Sequence, residues 1–206
     1  MYKVFVNKKE IILTTEAPKM PTSKVLPLKA TPFKKIIGIL RTTSVDTLYL
    51  VHDNPKKLIP LFKKKLPVTV AAGGVVQNDQ KEVLFIYRKK KWDLPKGKVE
   101  KGETLEKGGK REVKEETGVK KLHVGALLGT TYHIFKRNNR YQLKESHWFH
   151  MTTSYTGNLV PETKEDITKA VWKGKEKTLK SLEKTYPNIS HLFSKAMLLK
   201  FLFEEE

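Results

Sequence analysis

The sequence predicts an α/β sandwich preceded by a small α+β unit, on three observations. From residue 68 onward, strand-like runs flank one amphipathic stretch at 103–118, and helical periodicity returns near the C-terminal end. Residues 1–66 carry their own mixture of alternating and helical patterns. Pro67 separates the two, so the expected organisation is an N-terminal unit over 1–66 and a second domain over 67–206.

In chain order, Tyr2–Val6 and Glu10–Thr14 read as two short strands joined by Asn-Lys-Lys, a hairpin pattern. A loop with Pro18, Pro21, Pro27 and Pro32 follows. Phe33, Ile36, Ile37 and Leu40 then recur at helical spacing, TLYLV at 47–51 alternates as a strand, and Leu58 to Leu66 suggests a second helix. In the second part, VTVAAGGVV and EVLFIYR are strands around the polar turn QNDQK. HVGALLGTTYHIF and YQLKESHWFHMT are longer strands around KRNNR, and DITKAVWK is a further strand. Helices are expected over 175–185 and after Pro187, where Ile189, Leu192, Phe193, Ala196, Met197 and Phe201 form one core-facing stripe.

Bulk properties exclude several classes. The 206 residues contain no cysteine, which removes disulfides, thiolate zinc sites and cysteine nucleophiles, and fits a reducing cytoplasm. The first residues alternate and carry charge rather than forming an apolar signal core, and no run approaches the roughly 18 apolar residues of a membrane span. A soluble cytoplasmic protein is the expectation. The net charge of +19 suits polyanions. Because the excess is mostly Lys, spread along the chain and not interleaved with aromatics, nucleic acid is not the favoured partner on charge alone.

The chemistry is concentrated in GKVEKGETLEKGGKREVKEETGV, residues 97–119. Gly97 and Gly102 punctuate a loop, Glu103 and Thr104 open a helix, and Gly118 closes it. Glu112, Glu115 and Glu116 stand at i, i+3 and i+4, so their carboxylates share a helical face. Like charges at that spacing repel by a few tenths of a kcal/mol per pair, and a divalent cation would relieve the repulsion. Hard oxygen ligands without His or Cys select Mg²⁺ or Mn²⁺ over zinc. On the opposite face Leu105, Gly109 and Val113 should pack against the sheet, and Arg111 is within reach of Glu103 for a charge-assisted bond.

This stretch resembles the Nudix box: Gly, five residues, Glu, seven residues, Arg-Glu, an apolar residue, any residue, Glu-Glu, any residue, Gly and an apolar residue. Gly97, Glu103, Arg111, Glu112, Val113, Glu115, Glu116, Gly118 and Val119 fill it without a gap. Seven fixed identities at ordinary frequencies would coincide in about one chain in a million, so chance does not account for them. The resemblance covers roughly residues 68–190 and implies a Nudix-type α/β/α sandwich with a mixed sheet; residues 1–66 fall outside it. One departure is Gly108-Gly109, where the family often has alanines.

The resemblance further implies hydrolysis of a pyrophosphate linkage in a nucleoside diphosphate joined to a second group. Gly97, through its carbonyl, and Glu112, Glu115 and Glu116 would hold Mg²⁺ or Mn²⁺, with Arg111 and Glu103 as organisers. Arg88, Lys96 and Lys98 are candidates for phosphate contact, Trp92 for stacking on a base, and Tyr132 with His133 for lining. The general base would be Glu115 or, second, Glu165 in the loop that also carries Glu162 and Asp166. His147 and His150 flank Trp148-Phe149 on one strand and are read as non-metal. The lead-in Trp92-Asp-Leu-Pro-Lys-Gly97 looks closest to enzymes of dinucleoside polyphosphates. Two alternatives are an RNA 5′ pyrophosphate or cap hydrolase, and a Nudix-fold nucleotide sensor without turnover. Residues 1–66 are expected to serve dimerisation, giving a homodimer, or substrate selection.

Overall fold

The computed structural model describes residues 1–18, 23–194 and 202–203. Pro21, Ala196, Met197 and Phe201, used above, lie outside the described residues. The chain forms two compact units, one of residues 1–69 and 132–145, the other of 70–131 and 146–206. Residues 132–145, the distal part of the long hairpin expected near KRNNR, thus pack with the N-terminal residues.

In the first unit β1 (Tyr2–Val6) and β2 (Lys9–Thr14) form the expected antiparallel hairpin, with Asn7 left-handed at φ 54° in its turn. β3 (Lys24–Pro27), not foreseen in the proline-rich loop, pairs in parallel with β4 (Thr47–Val51), and β4 pairs in parallel with β2. α1 (Phe33–Thr42) buries Ile36, Ile37 and Leu40, and α2 (Leu58–Lys63) buries Leu58, Ile59 and Phe62. These side chains share a core with Val4, Ile11, Leu13, Leu48 and Leu50 of the strands, and with Tyr132, Ile134 and Leu143 of the hairpin. Parallel pairing of Val4–Val6 with Tyr132–Ile134 extends the sheet onto the hairpin.

The second unit is built on β5 (Val68–Asn78), β6 (Val83–Arg88), β7 (Lys91–Asp93), β8 (Lys96–Lys98), β9 (His123–Arg137), β10 (Arg140–Thr153) and β11 (Ile167–Lys173). Its principal strand order is β11-β6-β5-β10-β9, with β7 on β6 and β8 on β5. Alternation along the strands sends side chains to two cores. Val75, Phe85 and Trp148 meet Ile189, Leu192 and Phe193 of α5 (Pro187–Phe193) on one face. Ala72, Val76, Leu84, Phe149 and Met151 meet Val113 of α3 (Leu105–Thr117) on the other. α4 (Lys175–Leu182) completes the helices, and none among the described residues is long and apolar enough to cross a membrane. The layered α/β/α arrangement expected from the sequence is present, with parallel and antiparallel pairing in the molecule.

The glycines at the junction of sheet and helix are needed for close approach. A Cβ on Gly109 would sit 3.3 Å from the Gly73 nitrogen and 3.4 Å from Ala72 Cβ, so α3 lies directly on β5 there. A Cβ on Gly73 would overlap the Pro95 carbonyl and the Lys96 side chain of the adjoining strand. Relief would require β5 and β8 to separate, because the obstructing atoms include backbone. Gly73→Ala should therefore destabilise the chain by about 1–3 kcal/mol, read as a lower urea midpoint at unchanged m-value. An unchanged midpoint would show that β8 is not held where it is by this contact.

Candidate active site

α3 begins and ends on local signals. The Thr104 hydroxyl accepts from the Lys107 amide at 3.3 Å, and Gly118 adopts φ 70° with its N–H bonded to the Lys114 carbonyl at 2.8 Å. The helix end also anchors the following acidic loop: Val160 N donates to Thr117 O at 2.8 Å and Glu162 N to Glu116 O at 3.1 Å. The backbone itself thus brings Glu162, Glu165 and Asp166 to the end of the acidic helix.

Arg111 joins the loop to the helix. Its Nε and Nη2 donate to the two Glu103 oxygens, each at 3.0 Å, and Nη2 also donates to the Lys98 carbonyl at 3.0 Å. Nη1 donates to Glu112 Oε1 at 2.8 Å and to Glu115 Oε2 at 2.9 Å. Glu103 in turn accepts from the Glu100 amide at 3.1 Å. These bonds, chiefly that from Arg111, hold the Glu103 carboxyl below its ordinary pKa. Gly108 stands beside this clasp, where an added Cβ would lie 3.0 Å from Glu103 Oε2. The unusual glycine pair therefore serves two contacts, Gly109 toward the sheet and Gly108 toward Glu103.

The three glutamates share the face that their spacing predicts, with different surroundings. Glu115 is half exposed, Glu112 is nearly buried, and Glu116 is 1% exposed. Burial raises the Glu112 pKa against the opposing pull of Arg111. In Glu116 burial dominates, with Lys96 and Arg88 opposing and Asp93 reinforcing it, and the carboxyl is pushed up to about 7. Its Oε2 accepts from the Lys96 amide at 2.9 Å, while Oε1 accepts no hydrogen bond and has Arg88 Nη1 at 3.7 Å. With Glu112 and Glu115 both turned onto Arg111, no group of three acidic or histidine side chains converges at metal-holding distances among the described residues.

The donor set nevertheless fits a hard divalent cation on two counts. Glu116 Oε1 is a buried acceptor without a donor. Gly97 also lies against the Glu112 carboxylate so closely that a Cβ there would overlap it. Gly97 is in the short strand β8, paired with Ala72, rather than in the loop expected for it. Its lack of a side chain leaves the room that the Glu112 carboxylate occupies.

The remaining expected residues are distributed unevenly. Arg88 joins the site, with Glu165 Oε2 at 4.0 Å as well as Glu116. Lys98 is exposed and contributes its carbonyl to Arg111. Lys96 is buried, and its ammonium donates to Asp93 Oδ2 at 2.6 Å. Sequence reasoning missed Asp93, although an acid three residues before a lysine is a readable pairing signal. Trp92 packs on Tyr87 with centroids 4.8 Å apart and has Lys173 Nζ 3.5 Å over its ring. Tyr132 belongs to the first unit's core, edge-on to Tyr2 at 6.3 Å, and burial there pushes its hydroxyl up to about 12. His133 lies beside Phe135 and His147 beside Thr130.

Residues 67–193, more than half of the chain, match the family model of the NUDIX domain. The chain belongs to the NUDIX family. Among curated relatives, Nudix hydrolase 2 of Arabidopsis thaliana is 34% identical over 102 residues, covering 42% of this chain and 37% of that protein. The match thus spans well under half of that relative's length. Among solved structures, a Caenorhabditis elegans Ap4A hydrolase binary complex is similar at 20% identity and TM-score 0.50, covering 66% of this chain and 99% of that one. A MutT protein from Methanosarcina mazei is similar at 23% identity and TM-score 0.49, covering 64% and 94%. The box residues of this NUDIX chain, 97–119, lie on β8, the loop after it and α3.

Without added metal, Glu116 should leave a pH signature on stability. Its carboxyl is pushed above the ordinary value of 4.5 to about 7 in the folded chain. Its contribution is therefore complete below 4.5 and lost as pH rises through about 7. In EDTA, urea unfolding of Glu116→Gln should show a shallower fall in stability between pH 5 and 8 than the parent, by about 1–3 kcal/mol across that range. Parallel curves would mean that Glu116 is not desolvated.

Proposed function

We propose that this NUDIX chain hydrolyses a pyrophosphate linkage in a nucleoside-diphosphate-type substrate, a dinucleoside polyphosphate by preference, with Mg²⁺ or Mn²⁺ as cofactor. The observation that carries the reading is the buried, undonated Glu116 Oε1, on one helical face with Glu112 and Glu115 and next to the close Gly97–Glu112 contact. Three clustered carboxylates cost stability unless a cation shares them. The lead-in Trp92-Asp-Leu-Pro-Lys-Gly97 supports the substrate preference.

Glu112, Glu115, Glu116 and the Gly97 carbonyl would hold the cation, which when bound neutralises phosphate charge and acidifies a water. Every other role falls to the chain itself. Arg111 fixes Glu103 and the Lys98 carbonyl, so the loop leaving β8 and the helix keep one geometry, while its Nη1 is the present partner of Glu112 and Glu115. The buried Lys96–Asp93 pair holds the Lys96 amide on Glu116. That gives Lys96 a positioning role through its backbone, where the sequence suggested a phosphate contact. Arg88, with its guanidinium toward Glu116 and Glu165, is the cation best placed for a phosphate oxygen. Glu115, half exposed, is the first choice for accepting the proton of the attacking water, and Glu165, half exposed beside Arg88, is the second.

The test is turnover of diadenosine tetraphosphate, ADP-ribose and a capped RNA with and without Mg²⁺. Metal-dependent turnover, fastest on the first, is expected. Glu115→Gln should lower kcat by about 10²–10⁴-fold if it is the base, and Glu165→Gln should do so if the base lies in the loop. Preference for capped RNA would move the substrate to RNA 5′ ends. Nucleotide binding without turnover across the panel would replace the enzyme reading with a sensor.

Positioning by Arg111 makes a separate prediction. Arg111→Lys keeps the charge but cannot span both Glu103 oxygens and the Lys98 carbonyl. Mn²⁺ affinity measured by calorimetry should fall by about 10–100-fold, as for other residues that orient ligands without touching the metal. An affinity equal to the parent's would remove Arg111 from that role.

A further inference from the structure

The tip of the long hairpin, in the first unit, carries a pattern of its own outside the NUDIX box. β9 ends at Arg137 and β10 starts at Arg140, and the two residues between them, Asn138 and Asn139, are both left-handed at φ 47° and 59°. A two-residue turn of that kind sets Arg137 directly opposite Arg140, with Cβ atoms about 5 Å apart on one face. Ile134 and Leu143 point into the first unit's core, so alternation puts Phe135, Arg137, Arg140, Gln142 and Lys144 on the other face.

From His133 to Lys144 there are four basic residues and no acidic one. Neither Arg137 nor Arg140 pairs with a carboxylate among the described residues, and both line a concavity of about 450 Å³ with Asn138 and Gln142. Like charges placed directly across a strand pair are unfavourable, and an anion bound between the two guanidinium groups would reverse that cost. The half-buried ring of Phe135 lies beside them, with Lys144 Nζ 5.6 Å from its centroid. Across the whole sequence cations and aromatics are not interleaved; on this hairpin they are.

We propose that the outward face of the β9–β10 hairpin tip is a binding site for single-stranded nucleic acid. Arg137 and Arg140 take phosphodiester oxygens and Phe135 provides the stacking surface. Arginine forks match phosphate geometry, and an aromatic between cations on a strand surface suits an unpaired base better than a free inorganic anion. Lys136, on the other face and 5.7 Å from the Tyr141 centroid, lies outside the site.

The experiment is fluorescence anisotropy of the full chain with a labelled single-stranded oligoribonucleotide of about 12 nucleotides, a length within the usual range for one binding surface. Affinity should fall with salt. The Arg137→Ala/Arg140→Ala double variant should bind at least about tenfold more weakly, with a log–log salt slope shallower by about 1.4, as expected for two lost phosphate contacts on a single strand. Phe135→Leu should weaken binding with the slope unchanged. A charge-matched control, Lys8→Ala/Lys64→Ala, removes two exposed cations elsewhere in the same unit and should retain most of the affinity. Equal losses in the two double variants would overturn the proposal in favour of unspecific attraction to a basic chain. Competition by inorganic tripolyphosphate as effective as by unlabelled oligonucleotide at equal phosphate would overturn it in favour of a simple anion site. Absence of binding by the parent chain would overturn it outright. Circular dichroism of each variant, expected to match the parent for these surface positions, separates lost contacts from lost fold.

Discussion

A single guanidinium sits among three carboxylates in this molecule, and the geometry of the site follows from that arrangement. Arg111 makes bidentate bonds to Glu103 and a third to the Lys98 carbonyl, so the loop from β8 cannot shift along α3 without breaking charge-assisted bonds. Held that way, β8 presents Gly97 to Glu112 at a distance that no side chain could share. The same strand presents the Lys96 amide to Glu116. Arg111 touches both sides of the junction.

The second constraint is the closeness of helix and sheet. Gly109 and Gly73 let α3 lie on β5, and Gly73 also lets β5 lie on the Pro95–Lys96 backbone. Helix, central strand and short strand are thereby pressed together at one point. Glycine in a helix interior costs roughly 1 kcal/mol against alanine, and two in succession weaken α3 locally. The Thr104 cap, the left-handed Gly118 and the burial of Val113 offset part of that cost.

Much of this was legible in the sequence, because α3 and the long strands declare themselves through local periodicity. Glu112, Glu115 and Glu116 share a face because 3.6 residues make a turn, and Leu105, Gly109 and Val113, four residues apart, form an adjoining buried stripe for the same reason. What was not legible depends on partners distant in sequence. β3 is four residues long and exists because β4, across α1, pairs with it. β7 and β8 are three residues each, too short for a pattern, and are formed by β6 and β5. Lys96 reads as a free cation until Asp93 is seen folded against it. Tyr132 reads as a neighbour of the box because it follows the box in sequence, whereas its side chain packs with Tyr2, at the far end of the chain.

The burial of Glu116 shows why such a site conflicts with stability. A carboxylate 1% exposed, with one oxygen undonated, gives up solvation that the amide of Lys96 and the distant edge of Arg88 only partly replace. A leucine at that position would relieve the penalty and pack against the same neighbours, since buried ionic groups are often replaced by apolar ones without loss of stability. The buried Lys96–Asp93 pair adds two more charges to the same region, the Lys96 ammonium easing and the Asp93 carboxylate deepening the penalty on Glu116. On the proposed function, a bound cation would relieve that penalty. Local violations of packing logic of this kind are expected where a chain does chemistry. Here they coincide with the residues that define the family.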